Sequence, residues 1–305
     1  MRTDKMDNAK AAREWFARGC RYDRLDPNSD KAVHAYIKCI ALDGAMTDAY
    51  VNLGFVYLSR EDYRNSLKCF KKITDLEPTN PEAFNNLGYV YERMERTGSA
   101  KQIYARALNL DPGNIEAMLN IAQVLELEGD YHGAVAQYGK VITAAPDAVA
   151  PRFCLAVLYD RYDMFDEAVA QYREVLERDP DHVKAVFNLG NLHVQLGEHE
   201  EAARAFTRVL ELDPANSAAW NNLGSVYEDL DRYGDAVSAF EKSLALNFVQ
   251  EEAHTNLGRI LYKQYRANPA NNIKAKILQR LYFVLSVNPH NKEALQLLEE
   301  LKRSS

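Results

Sequence analysis

Five prolines, Pro78, Pro112, Pro146, Pro180 and Pro214, stand 34 residues apart, and this spacing constrains the fold more than any other feature of the chain. Gly54 and Gly88 keep the same interval, as do Gly190, Gly224 and Gly258. Asn52, Asn86, Asn120, Asn188, Asn222 and Asn256 keep it again, with Cys154 in the one missing slot. A fixed period of this length means one supersecondary unit repeated along the chain. No copy can bury its apolar face alone, so each must stack on its neighbours.

Each unit reads as two amphipathic helices. In the third, Phe84, Leu87, Gly88 and Tyr91 fall at i, i+3, i+4 and i+7, which is one buried helical stripe. Ala100, Tyr104 and Ala107 form a second stripe, and Pro112 ends the second helix. Gly88 and Ala100 are small where two backbones must approach, and Tyr91 and Tyr104 fill the volume beside them.

These residues resemble the tetratricopeptide repeat: a large residue, Leu-Gly, Tyr, then Ala, aromatic, Ala and Pro. The resemblance covers nearly the whole chain and implies an all-α fold, a right-handed α-solenoid superhelix of about eight helix pairs with a C-terminal capping helix. The expected organisation is an N-terminal lead-in over 1–11, units at 12–46, 47–80, 81–114, 115–148, 149–182, 183–216, 217–250 and 251–291, and a cap over 292–305. The first unit departs from the pattern, with an extra residue in its turn, Arg18 for Leu and Gly44 for Pro. The seventh ends in Phe248 rather than Pro, and the eighth carries an insertion of about seven residues before Leu281, Val284 and Pro289. The fifth places Arg152 at the bulky position, where its stem is expected to cover the seam and its charged end to reach solvent.

Composition narrows the function classes. The 37 Lys and Arg against 44 Asp and Glu give a net charge of -7, which disfavours nucleic acid as a partner. The N-terminal residues, from Met1 through Arg2, Asp4 and Lys5 to Lys10, hold no apolar signal core, and no stretch reaches membrane-spanning length. A cytoplasmic protein without membrane insertion is the expectation. Four cysteines without C-x-x-C spacing agree with it.

In the family, the first helix of each pair lines a concave groove. The resemblance implies that residues two, five, six, nine, twelve and thirteen of each unit face it. The asparagine column falls on the sixth residue and is similar to the ladder in the repeat domain of O-linked N-acetylglucosamine transferases and in peroxisomal targeting-signal receptors. A row of carboxamides can hydrogen-bond to the backbone of an extended peptide, and it can equally stand as a solvated row. Phe16, Phe55, Tyr89, Phe153, Phe187 and Tyr262 also fall on groove positions. Of these, Phe16, Phe153 and Phe187 are expected to pack between units, and Phe55 and Tyr89 to meet a ligand. The candidate peptide-binding set is therefore Asn52, Asn86, Asn120, Asn188, Asn222 and Asn256 with Phe55, Tyr89, Glu126 and Asn191. Groove-side charge leans acidic, through residues such as Glu92, Glu126, Asp160 and Glu228, which suits a ligand of some basic character. The family's clamp for chaperone carboxylates is missing, because Phe187 and Glu252 stand where its cations belong around Asn191 and Asn222.

No phosphate-cradling, nucleophile-elbow or zinc-hydrolase motif occurs, and neither a catalytic residue, a metal nor a cofactor is expected. Asp26, Asn28 and Asp30 imitate the start of a calcium loop, but Lys31 and Ile37 occupy the positions of its Gly and bidentate Glu. Ser29 or Asp30 is better read as a helix cap. His193 stands where other units have Tyr and reads as a packed histidine, while Cys39 and Cys154 fill ordinary repeat slots. Lys263, Arg266, Lys274, Lys276 and Arg280 surround the insertion and are expected to form a solvated loop, with docking of an acidic partner as the alternative. The expected function is a scaffold or adaptor holding an extended segment of a partner protein. A recruiting arm for a separate enzyme such as a glycosyltransferase is a second reading. Self-association through the end units, near Phe248 and Val249, is a third.

Overall fold

The computed structural model describes residues 2–26 and 29–303, with side chains from residue 7 onward. It is all helical over those residues, with no strand. The helices are α1 (Arg2–Leu25), α2 (Asp30–Leu42), α3 (Thr47–Ser59), α4 (Tyr63–Leu76), α5 (Pro81–Arg93), α6 (Thr97–Leu110), α7 (Ile115–Leu127), α8 (Tyr131–Ala144) and α9 (Val149–Arg161). They continue with α10 (Phe165–Arg178), α11 (Val183–Gln195), α12 (His199–Leu212), α13 (Ser217–Asp229), α14 (Tyr233–Leu246), α15 (Glu251–Ala267), α16 (Asn271–Val287) and α17 (Lys292–Arg303). Two compact units, Met1–Pro151 and Arg152–Ser305, divide within α9.

Inside each unit, consecutive helices pair and stack in sequence order, α5 on α6 and α6 on α7 in the first, α13 on α14 and α14 on α15 in the second. In each of the first seven pairs one ring carries the packing, and Leu281 takes its place in the eighth. Tyr36, Phe70, Tyr104, Tyr138, Tyr172, Phe206 and Phe240, spaced 34 residues apart on the second helices, are all fully buried. Each faces a small residue of its own first helix. A Cβ built on Gly88 would lie 2.6 Å from the Tyr104 ring, and one on Gly224 2.7 Å from Phe240. Such approach requires glycine, or alanine with a slightly displaced ring, and the fourth and fifth pairs use the buried Ala122 and Ala156.

Local chemistry sets the ends. Asn80, Asn114 and Asn216 cap α5, α7 and α13 by accepting from backbone N–H groups of the first turn, and Asp62 and Asp130 do the same for α4 and α8. Within the pairs from α3 to α14, the turn between first and second helix places a residue in the left-handed region, at Glu61, Glu95, Gly129, Asp163, Gly197 and Asp231. Only two of the six are glycine, so the sequence gives little sign of this conformation. Ser29 accepts from the Lys31 N–H at 3.3 Å and caps α2, as its position suggests. Asn28 of the calcium-loop imitation lies outside the described residues.

Two expectations need correction. The extra residues of the eighth pair form no solvated loop. The first helices α3 to α13 have 13 residues and their partners 14, whereas α15 and α16 have 17 each, joined by a turn of the usual length. The insertion continues both helices because it holds no residue that stops one until Asn268-Pro269. Arg152 also does not reach solvent. It is 6% exposed, and its Nε lies 3.7 Å from Oε2 of the half-exposed Glu174 on α10, so the carboxylate comes to the guanidinium from the solvent side. At the C-terminal end, α17 buries Ala294, Leu297, Leu298 and Leu301 against the last pair.

Candidate functional site

The asparagine column is partly spent on the protein itself. Asn120 Nδ2 donates to Asn85 Oδ1 at 2.9 Å, Asn222 Nδ2 to Asn191 Oδ1 at 2.8 Å, and Asn188 Nδ2 to the Tyr172 hydroxyl at 3.1 Å. Asn52 donates to the Tyr36 hydroxyl at 3.3 Å. Asn256 is buried at 6% exposure, donates to Asn221 Oδ1 and Ser225 Oγ, and accepts from Arg259. Asn86 is half-buried and makes no side-chain hydrogen bond among the described residues. Most of the column thus braces one first helix to the pair before it or to its tyrosine. The outer amide hydrogen and remaining carbonyl lone pairs of the half-buried members are what a ligand could use.

The tyrosines explain several acids. Tyr104 donates to Glu92 Oε2 at 2.8 Å and Tyr138 to Glu126 Oε2 at 3.2 Å. In the pair where Phe240 replaces tyrosine, Glu228 instead receives Arg259 and Lys263, each at 2.8 Å. Where the ring is Phe70 or Phe206, the corresponding first-helix residue is the apolar Leu58 or Val194. Burial raises the Glu92 and Asp160 carboxyls above the ordinary range. It also pushes the Tyr172 phenol up to about 12, against the hydrogen bond from Asn188. Glu92, Glu126 and Glu228, counted from sequence as ligand-facing charge, are therefore engaged within the fold.

Besides the exposed Leu25 and Leu127, the first helices present apolar surface in two further stretches. In Met1–Pro151, Phe55 is 42% exposed while its ring meets Phe70 edge-on at 5.2 Å, and Tyr89 one pair later is 36% exposed. In Arg152–Ser305, a cavity of about 330 Å³ is lined by Phe153, Val183, Lys184, Phe187, Asn188, Asn216 and Ala218. All come from α9, α11 and α13 or the cap before α13. Phe153 and Phe187 do pack inward, at 6.1 Å from Tyr172 and 5.7 Å from Phe206, yet both stay half-buried and wall the cavity. Sequence reasoning missed this second role, although Phe153, Phe187 and Lys184 all occupy groove positions one pair apart or less. Lys184 is exposed and forms no ion pair among the described residues.

The remaining candidates are structural. His193 is buried with its Nδ1 2.5 Å from Glu198 Oε2. Cys39 is buried, its thiol 3.2 Å from Met46 Sδ and raised by burial, and burial pushes the Cys69 thiol up to about 11. No group of three His, Cys, Asp or Glu side chains is placed to hold a metal ion among the described residues. No helix there is long and apolar enough to cross a membrane.

Paired helices with a 34-residue beat, a small residue set against a buried ring in seven of the pairs and an exposed first-helix face define a helical repeat protein. Family models for the tetratricopeptide repeat match residues 56–95, 81–114, 116–148, 157–216 and 187–247. The chain belongs to the tetratricopeptide repeat superfamily. No curated protein sequence matches it significantly. Among solved structures, it is similar to the C-terminal part of a tetratricopeptide repeat protein from Cytophaga hutchinsonii, with TM-score 0.68 and 16% identity over 80% of this chain and 98% of that one. A chain of the Cut9–Hcn1 hetero-tetramer of APC/C gives TM-score 0.55 and 18% identity over 88% of this chain; the match spans about half of that chain, 52%. YrrB, a tetratricopeptide repeat protein with an unusual peptide-binding site, gives TM-score 0.51 and 20% identity over 60% of this chain and 95% of that one. At these identities the likeness establishes the α-solenoid fold.

Proposed function

We propose that this chain is a non-catalytic scaffold or adaptor that holds an extended peptide segment of a partner protein against its first helices. The observation that carries this reading is the cavity walled by Phe153, Val183 and Phe187 and edged by Asn188, Asn216 and Lys184. An apolar pocket with a few convergent polar groups suits one apolar side chain, with the peptide backbone meeting the asparagines. Phe55 and Tyr89, with the unspent amide of Asn86, offer a second anchoring stretch of the same kind. Asn52, Asn120, Asn191 and Asn222 act mainly as braces in this reading, and Asn256 is too buried to take part. The recruiting-arm reading adds an enzyme that the geometry does not call for.

Selection of binders from a library of extended random peptides, followed by calorimetry on Asn188→Ala, Phe187→Ala and Asn86→Ala, tests the proposal. Loss of the selected peptides by any of these, with the helical melt unchanged, supports it. Undiminished binding by all three overturns it. Self-assembly remains a second reading because Leu246, Phe248 and Val249 are exposed together around one turn. A mass in sedimentation that rises with concentration and falls in Val249→Asp would favour it.

A further inference from the structure

The lengthened pair α15–α16 also reverses the charge of the unit it belongs to. Residues 253–292 carry seven Lys and Arg and no Asp or Glu, whereas residues 152–252 carry nine Lys and Arg against 20 Asp and Glu. The first helix of this pair starts in the repeat's register, 34 residues after α13, and the second ends at the usual interval before the helix that follows it. The added residues therefore lie where α15 meets α16, and they carry that turn about 6 Å past its neighbours, at roughly 1.5 Å per residue. Arg259 and Lys263 are taken up by Glu228 and Glu293. Arg266, Lys276 and Arg280 form no ion pair among the described residues, and Arg266 and Lys276 are exposed. Nothing in a stacking role requires this arrangement, since α14 and α17 cover the apolar faces of the pair from either side.

We infer that the projecting α15–α16 turn, with the exposed Arg266 and Lys276 beside it, is a docking surface for a short acidic segment of a partner protein. Charge complementarity selects the acid. The length is set by the surroundings. At physiological salt the field reaches about 8 Å, so a long polyanion such as RNA, or an extended anionic bilayer, would also meet the acidic surface of residues 152–252, while a few residues of acidic chain need not. This surface is separate from the first-helix cavity and does not depend on it.

The test is fluorescence anisotropy on the full chain, with a fluorescein-labelled dodecapeptide of Asp and Glu spaced by Gly and Ser and its Asn/Gln counterpart. Arg266→Glu/Lys276→Glu reverses two exposed charges of the surface, and Lys184→Glu reverses one at the cavity; circular dichroism melts confirm that all fold alike. Binding of the acidic peptide by the parent, weakened roughly tenfold or more in Arg266→Glu/Lys276→Glu and unchanged in Lys184→Glu, is expected. The proposal is overturned by an absence of binding, by equal binding in the double variant, by equal binding of the Asn/Gln peptide, or by loss in Lys184→Glu. Tighter binding of phosphatidylserine vesicles or of a single-stranded RNA 20-mer than of the peptide also overturns it.

Discussion

Asn120 donates a 2.9 Å hydrogen bond to the side-chain oxygen of Asn85, which lies one pair earlier and is only 1% exposed. Removing the donor leaves a buried oxygen without a partner, and that costs more than the bond itself is worth. Asn120→Ala is therefore expected to lower stability by about 1–3 kcal/mol. Asn85→Ala/Asn120→Ala should lose less than the two single changes together. Asn86→Ala, whose amide has no partner, should stay within about 0.5 kcal/mol of the parent. Urea denaturation of the parent and of these four variants, Asn85→Ala among them, checks this, and equal losses at Asn86 and Asn120 would contradict the brace. The pattern also fixes how binding data must be read: lost binding in Asn86→Ala reports contact, and lost binding in Asn120→Ala does not by itself.

The helix pairs were legible because their signal is repeated. Gly88 against Tyr104 is one weak contact prediction, but the same small residue and ring recur in seven pairs, and no other arrangement explains them together. The use of each polar side chain was not legible in the same way. Nothing local in the sequence distinguishes Asn86, which is free, from Asn120, which is not; the difference is set by Asn85 across the stack. Arg152 was misjudged for the same reason, because Glu174 lies on another helix. The cavity is within reach of the sequence, since Phe153 and Phe187 fall on groove positions, but the pattern does not say that a half-buried ring can pack inward and still present its edge. The lengthened α15 and α16 needed only the absence of a helix breaker before Asn268-Pro269 to be recognised as helix rather than loop.

Glu95 holds φ at 58° and Glu61 at 59°, in turns where the equivalent Gly129 and Gly197 sit at 75° and 73°. A side chain with a Cβ pays about 1–2 kcal/mol to occupy this region, partly offset by the greater unfolded-state freedom of glycine. Glu61→Gly and Glu95→Gly are each expected to stabilise Met1–Pro151 by about 0.5–1 kcal/mol. Asp163→Gly should gain less, because Asp tolerates the left-handed region better than Glu. Thermal melts of the single variants and of Glu61→Gly/Glu95→Gly decide the matter, and an unchanged or lowered midpoint in the double variant would refute the strain.

Glu92 and His254 should respond to acid in opposite directions. Burial raises the Glu92 carboxyl, with the Tyr104 hydrogen bond and the Arg93 charge opposing it. The folded state then holds this proton more tightly than the unfolded chain. The resulting stabilisation is complete below the unfolded carboxyl value and is lost as pH rises through the raised folded one. His254 is fully buried against Phe248 and Phe283, its Nε2 2.8 Å from the Phe248 carbonyl and its Nδ1 without a partner. Burial lowers its pKa first, the Arg280 charge adds to this, and the carbonyl opposes both. Its contribution is present above its unfolded value of about 6.5 and disappears as pH falls through the depressed folded one. Between these limits each group can change stability by at most about 1.4 kcal/mol per pH unit. Amide hydrogen exchange at pH 5 and pH 7, corrected for intrinsic rates, should show α5 and α6 gaining protection in acid while α15 and α16 lose it. Glu92→Gln keeps an acceptor for Tyr104 and should abolish the first change only, and His254→Gln the second only. Exchange that shifts alike in both regions, in the parent and in both variants, would show that neither group controls the response.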